Sequence, residues 1–211
     1  MSRVDIALIK NPHEKFAYST EQLEEFCKCA DPETGPEFFM SNFFYIQHPT
    51  RGRIQYQPYD YQEKLIDTYH RHRFSISMLA RQTGKTTSAA GYLLWYGMFV
   101  PDSTILVAAH KYLGAQEIMQ RVRYAYENCP NHIRAGVVSY NKGSIEFDNG
   151  SRIVSQTTTE NTGRGMSISL LYCLDGDTTT VRIRNKNTLV EEDITLAELY
   201  ARLANADKVL V

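Results

Sequence analysis

Phe74-Ser75-Ile76-Ser77-Met78-Leu79-Ala80-Arg81-Gln82-Thr83-Gly84-Lys85-Thr86-Thr87 is the stretch on which the fold turns. It opens with a strand-like run, Phe74 to Leu79, passes through a polar loop and enters a helical pattern from about Lys85 to Phe99. Gly84-Lys85-Thr86 between a buried strand and a helix is the setting of a phosphate loop, where backbone N–H groups and the positive helix end hold a polyphosphate. In that setting Lys85 reaches the β- and γ-phosphates and the Thr86 hydroxyl ligates Mg²⁺. The position five before Gly84 is Leu79 where the general motif has glycine, so an ordinary helix N-terminus stands as the competing reading.

Outward from the loop, strand and helix patterns alternate. Thr104 to Ala109 is a buried strand, Leu113 to Glu127 a helix ended by Pro130, and Ile168 to Tyr172 a further apolar strand. Ser144–Phe147 and Arg152–Ser155 flank Asp148-Asn149-Gly150, a short hairpin signal. The alternation predicts an α/β fold, a mainly parallel sheet with crossover helices. Upstream, Ser19 and Gln22 have capping-box spacing for a helix over about 19–29. A second helix starts near Pro36 with Phe38, Phe39, Phe43 and Phe44 as its apolar set, and His48 to Pro58 reads as a connector. Asp60-Tyr61-Gln62 opens a third helix, where the Tyr61 ring suits stacking on adenine and the Gln62 amide suits reading its edge by paired hydrogen bonds. Arg81, in the loop, either neutralises charge on a transferring γ-phosphoryl group or faces solvent.

Composition narrows the function classes. The chain has 211 residues, 43% of them hydrophobic and 22% charged, which excludes disorder and collagen and leaves room for one domain plus a small second piece. A net charge of −1 supplies no global field for nucleic acid or membrane, so Arg71, Arg73, Arg121 and Arg123 are either local DNA contacts or solvated helix faces. The apolar stretch Ala89 to Pro101 is broken by Gly91 and Gly97 and falls short of the about 20 residues a bilayer needs. No apolar signal core follows Met1, and the expectation is a cytoplasmic protein with no membrane partner. Cys27, Cys29, Cys129 and Cys173 are too few and too unevenly spaced for a disulfide scaffold. Cys27-Lys28-Cys29 has no second Cys/His pair at zinc spacing, so two partly buried helix cysteines are expected.

Several motifs now agree in order and spacing: Tyr59-Asp60-Tyr61-Gln62, Leu79 to Thr87, Ala109-His110-Lys111, Tyr140 to Ser151, and Arg164-Gly165. Together they resemble the N-terminal ATPase half of the large terminase subunits of large tailed phages, the motors that package viral DNA. The resemblance covers about residues 15–172 and includes the missing first glycine. It implies an ASCE-type P-loop NTPase sheet, ATP and Mg²⁺ as cofactors, Gln62 in the adenine motif with Tyr61, and Gly84, Lys85, Thr86 and Thr87 on the phosphates. It further implies that Thr86 binds the metal and that Arg81 is the loop's in-cis arginine. The Ile168–Tyr172 strand then begins the Walker B segment. In this class the strand after Walker B inserts between the phosphate-loop strand and the Walker B strand, so the sheet is expected to be incomplete.

After Tyr172 the grammar changes. Cys173-Leu174 stand where paired acids are expected, and Cys173-Leu174-Asp175-Gly176-Asp177-Thr178, the Thr180–Arg184 alternation, a turn at Asn185-Lys186-Asn187 and a helix over Leu196–Leu203 follow. This resembles the opening of an intein, whose first Cys attacks the preceding carbonyl, here that of Tyr172. Asp175 and Asp177 are accordingly assigned to the intein and not to Mg²⁺. No histidine follows Cys173, so an N-terminal split-intein piece of a small β-rich Hint-type fold is expected. The resulting division is 1–58, an N-terminal helical and connector region; 59–172, a P-loop ATPase core fragment; and 173–211, the intein piece. Cys173, Arg81 and Lys85 are the expected catalytic residues. The expected partners are a complementary C-terminal intein–extein chain and, after splicing, double-stranded DNA, the portal and prohead, and the small terminase subunit. The alternatives are a helicase-like P-loop ATPase fragment and a non-enzymatic interaction fragment.

Overall fold

The computed structural model describes residues 8–77, 79, 80, 82–159, 162–174, 180–184, 191–195 and 198. Two compact units divide the chain, Met1–Tyr172 and Cys173–Val211, so residues 1–58 share a unit with the Gly84-Lys85-Thr86 loop. The helices are α1 (Thr20–Ala30), α2 (Gly35–Asn42), α3 (Asp60–Arg71), α4 (Lys85–Phe99) and α5 (Tyr112–Asn128). Strands β1 (Tyr45–His48) and β2 (Gly52–Gln55) form a hairpin. Strands β3 (Thr104–Ala109), β4 (Val137–Tyr140), β5 (Ser144–Phe147), β6 (Arg152–Thr157) and β7 (Leu170–Leu174) form one mixed sheet in the order β4-β5-β6-β3-β7.

Local chemistry explains most of these elements. The Ser19 hydroxyl accepts the Gln22 N–H while Gln22 Oε1 accepts the Ser19 N–H, the reciprocal cap expected for α1. Strand β3 is buried from Ile105 to Ala109 and pairs in parallel with β6, from Thr104 opposite Arg152 to Ala109 opposite Thr157. A strand covered on both faces needs such a continuous apolar run. The β5–β6 turn is tied to α4, because Asn149 Nδ2 donates to the carbonyls of Gly97 and Met98. Helix α4 is apolar nearly all round because it is covered on two sides. Toward the sheet a Cβ at Gly97 would come within 2.9 Å of Phe147 and 3.3 Å of Ile105, while on the other side Trp95 Nε1 donates to Cys29 O at 2.8 Å.

Three regions depart from the sequence reading. The expected connector contains the β1–β2 hairpin, whose turn is held by His48 Nδ1 accepting the N–H groups of Thr50 and Arg51. Strand β4, absent from that reading, extends the sheet beyond β5. The third difference is a correction: none of the described residues of the 74–79 run lies in a strand, and Phe74 and Ile76 are 82% and 46% exposed. A strand persists through its ladder partners. The sheet ends at β7, and nothing in the described chain pairs with the 74–79 run.

In the second unit β8 (Thr180–Arg184) pairs antiparallel with β9 (Glu191–Thr195). The expected turn at Asn185-Lys186-Asn187, Asp175 and Asp177 lie outside the described residues, as does all of the Leu196–Leu203 helix but Glu198.

Candidate functional site

The loop between α3 and α4 is closed by its own groups. Thr83 Oγ1 donates to Ala80 O at 2.9 Å, and Lys85 Nζ donates to Leu79 O at 3.0 Å, folding the ammonium group back across the loop. Gln82 and Gly84 sit at φ 63° and 77°, and Gly84 caps α4 in the left-handed region. Gln82 holds that conformation against a steric cost of about 1 kcal/mol. The first turn of a helix presents N–H groups without intrahelical partners. The backbone therefore presents positive potential where the Lys85 side chain begins, and the arrangement suits a polyphosphate.

Behind the loop lies a buried polar cluster. Gln62, only 4% exposed, accepts the Tyr59 N–H and the Tyr56 hydroxyl at Oε1, both at 3.0 Å, and donates from Nε2 to Thr83 O at 2.9 Å. Tyr61 Oη donates to the same carbonyl at 2.8 Å. Tyr56 Oη and Ser88 Oγ are 2.7 Å apart, and Ser88 Oγ also approaches Gly84 O at 3.3 Å. With the Tyr56 proton on Gln62, Ser88 gives its own to Tyr56, and the longer contact to Gly84 is the weaker alternative. Burial pushes the Tyr56 hydroxyl up to about 12, with the Ser88 bond opposing.

The remaining expected site residues divide. Thr86 and Thr87 lie half-buried in the first turn of α4, and Thr87 Oγ1 accepts from Arg121 Nη1 at 3.3 Å. Tyr61 stacks on Tyr59, with ring centroids 5.8 Å apart and planes 9° from parallel, so an exposed aromatic face stands beside the loop. Arg81 lies outside the described residues. Cys173, an exposed thiol on β7, begins the second unit, and strand β7 carries Cys173-Leu174 as its last two residues. Among the described residues no group of three or more His, Cys, Asp or Glu side chains could hold a metal ion.

Two of the four arginines considered for DNA contact are engaged with carboxylates: Arg71 with Asp67 and Glu33, and Arg121 with Glu117. The two cysteines of the 19–29 helix differ, Cys27 exposed and Cys29 buried, where burial raises the Cys29 thiol to about 12. Among the described residues no helix is long and apolar enough to cross a membrane.

Residues 76–177 match the family model for the terminase large subunit, T4likevirus-type, N-terminal. The match begins just before the Gly84-Lys85-Thr86 loop, takes in α4, β3, α5 and the five described strands of the sheet, and runs past Tyr172. It supports a terminase assignment for this stretch, as a fragment of a phage DNA-packaging motor. Sequence reasoning singled out the loop at Gly84-Lys85-Thr86 but missed Tyr56 and Ser88 behind it. Ser88 was findable as the residue one helical turn past Gly84; Tyr56, inside a stretch read as a connector, carried no local signal.

Proposed function

We propose that the chain is an N-terminal precursor of a phage large terminase subunit, an ATP-driven motor for double-stranded DNA, whose Walker B strand is interrupted after Tyr172 by the start of a split intein. The observation that carries this reading is the open side of the sheet. Among the described residues strand β7 is its last strand and the 74–79 run has no ladder partner, and Ile168, Leu171, Phe74 and Ile76 are all exposed. Tyr69 reaches both sides, its ring edge-on to Tyr172 and its hydroxyl near the Ser77 and Tyr172 side chains. An apolar strand entering there would pair both flanks, and in the resemblance to terminases that strand comes after the Walker B acids.

The donor set fits a magnesium nucleotide in part. The loop N–H groups and Lys85 would hold the phosphates, and the Thr86 hydroxyl would take one position on Mg²⁺, which supplies charge neutralisation at the transferring phosphoryl group. The acids that complete such a site belong to the segment we assign to the partner chain. The isolated chain is therefore expected to bind ATP weakly, to turn it over negligibly and to aggregate.

At the seam, the Cys173 thiol attacks the Tyr172 carbonyl carbon. The C–S bond forms, the Tyr172–Cys173 C–N bond breaks, and the thiol proton ends on the freed Cys173 amine, so the step is an isomerisation of amide to thioester. The thioester then passes the Tyr172 acyl group to the partner chain's nucleophile. Host-cell cytoplasm is the proposed location, with the portal, prohead and small subunit as partners of the spliced product. Mixing the chain with its complementary intein–extein chain and weighing the products tests this. A new peptide bond at Tyr172, lost in Cys173→Ala, is expected; no such bond with the wild-type chain refutes the splicing reading and returns the helicase-like or interaction fragment.

A further inference from the structure

We infer that Tyr69 is a positioning residue for the acyl transfer at the seam: it holds the Tyr172 side chain on one face of strand β7, which leaves the Cys173 thiol on the other, and so makes splicing depend on a folded upstream unit. The inference rests on the splicing reading above and adds to it a residue outside the intein piece.

Alternation along β7 supplies the geometry. Successive side chains of a strand point to opposite faces. The described residues follow that rule: Leu170 and Tyr172 are half-buried, whereas Leu171 and Cys173 are exposed. Just before the strand, Ser169 is tied to β3, its N–H donating to Thr104 O at 2.9 Å and its Oγ accepting the Thr104 N–H at 3.2 Å. Toward the seam the hold comes from α3. The Tyr172 ring meets Tyr69 edge-on, with centroids 6.4 Å apart and planes at 84°, a preferred arrangement for an aromatic pair. The Tyr69 hydroxyl is hydrogen-bonded to the side chains of Ser77 and Tyr172.

Tyr69 is itself braced from α4. Its ring centroid lies 5.8 Å from that of Tyr92, and the Tyr92 hydroxyl donates to Tyr69 O at 3.3 Å. Tyr172 therefore rests on a side chain set between two helices of the upstream unit. Burial pushes the Tyr69 hydroxyl above the ordinary tyrosine value, with the Ser77 and Tyr172 bonds opposing, so at neutral pH it is an uncharged phenol and acts as an anchor, not as the base for the thiol.

The carbon under attack is the Tyr172 carbonyl carbon, one bond from the Cα that carries the anchored side chain. Holding that side chain limits the backbone rotation of Tyr172 and with it the direction of the carbonyl that the thiol must meet. Attack forms the C–S bond, breaks the Tyr172–Cys173 C–N bond and leaves the thiol proton on the freed amine, so no further reactant is needed. Such a step is sensitive to orientation, a misplacement of about 1 Å costing on the order of 100-fold. An upstream unit that has not folded offers no anchor.

The experiment mixes the full chain with increasing amounts of its complementary intein–extein chain and follows the new bond at Tyr172 by mass spectrometry. Positioning predicts that Tyr69→Ala lowers the limiting first-order rate by about 10-fold or more and Tyr69→Phe, which keeps the ring, by about 3-fold, while the concentration of complement giving half that rate stays the same. Val107→Asp, which keeps the upstream unit from folding, should slow the reaction at least as much as Tyr69→Ala. A wild-type limiting rate in folded Tyr69→Ala, or in Val107→Asp, overturns the inference while splicing stands. A shifted half-rate concentration with an unchanged limiting rate also overturns it, since Tyr69 would then act on assembly. No bond with the wild-type chain overturns the splicing reading and this inference with it. Circular dichroism checks folding, and Tyr69→Leu, which keeps apolar bulk without ring or hydroxyl, replaces Tyr69→Ala if that variant does not fold.

Discussion

The two sides of strand β3 behave as different materials. On the β6 side, six residue pairs run in parallel register, Ile105, Leu106 and Val107 are buried, and α4 and α5 cover the sheet. On the β7 side the sheet stops, Leu171 is 56% exposed, and the described residues of the run that leads into the Gly84-Lys85-Thr86 loop have no ladder partner. The same kind of sequence, short apolar runs between loops, gives a finished sheet on one side and an unfinished one on the other. The difference lies in partners, since a strand's stability comes from neighbours on the ladder and covering faces more than from intrinsic preference.

The largest effect that could break this contrast is a charge placed on each side. Val107→Asp buries an unpaired carboxylate and is expected to cost more than about 4 kcal/mol, enough to prevent folding, whereas Leu171→Asp is expected to change stability by less than about 0.5 kcal/mol and to improve solubility. Urea unfolding and light scattering of the two variants measure this, and equal damage at both positions would show that the β7 side is closed.

A second test uses pH. Burial raises Tyr56 and Tyr126 to about 12, from an ordinary tyrosine value of 10.0. A group whose pKa is higher in the folded state stabilises fully below its unfolded pKa and loses that contribution as pH rises through the folded value. Stability should therefore be level through neutrality with respect to these groups and fall between about pH 10 and 12. Thermal melts across that range check the fall, and Tyr126→Phe, on the closed side, should blunt it.

The smallest expected effect concerns α1. Ser19→Ala removes one half of the reciprocal cap and should cost about 1 kcal/mol, whereas Arg71→Ala removes an exposed ion pair and should cost at most about 0.5 kcal/mol. Differences in melting temperature resolve the two.

How much of this was legible in the sequence follows the range of the forces involved. The α1 cap, the start of α4 at Lys85 and the Asp148-Asn149-Gly150 turn are set by residues within four positions of one another and are read correctly, as is strand β3, whose continuous apolar run marks it as buried. The 74–79 run has an apolar alternation that favours a strand, and the expectation fails because the partner it needs is not in the described chain. The β1–β2 hairpin was hidden because Pro49 and Gly52 read as loop punctuation, and its turn depends on the His48 ring. At the site, the loop itself was visible in Gly84-Lys85-Thr86, but the Gln62 amide's partners come from Tyr56 and Thr83, and no local pattern reports how a side chain's hydrogen-bonding capacity is filled.

Amide hydrogen exchange before and after ligation with the complementary chain tests the central claim most directly. The account predicts slow exchange in 104–109 and 152–157 throughout, and fast exchange in 74–77 that becomes slow only once the bond at Tyr172 has formed. Strong protection of 74–77 in the unligated chain would contradict it.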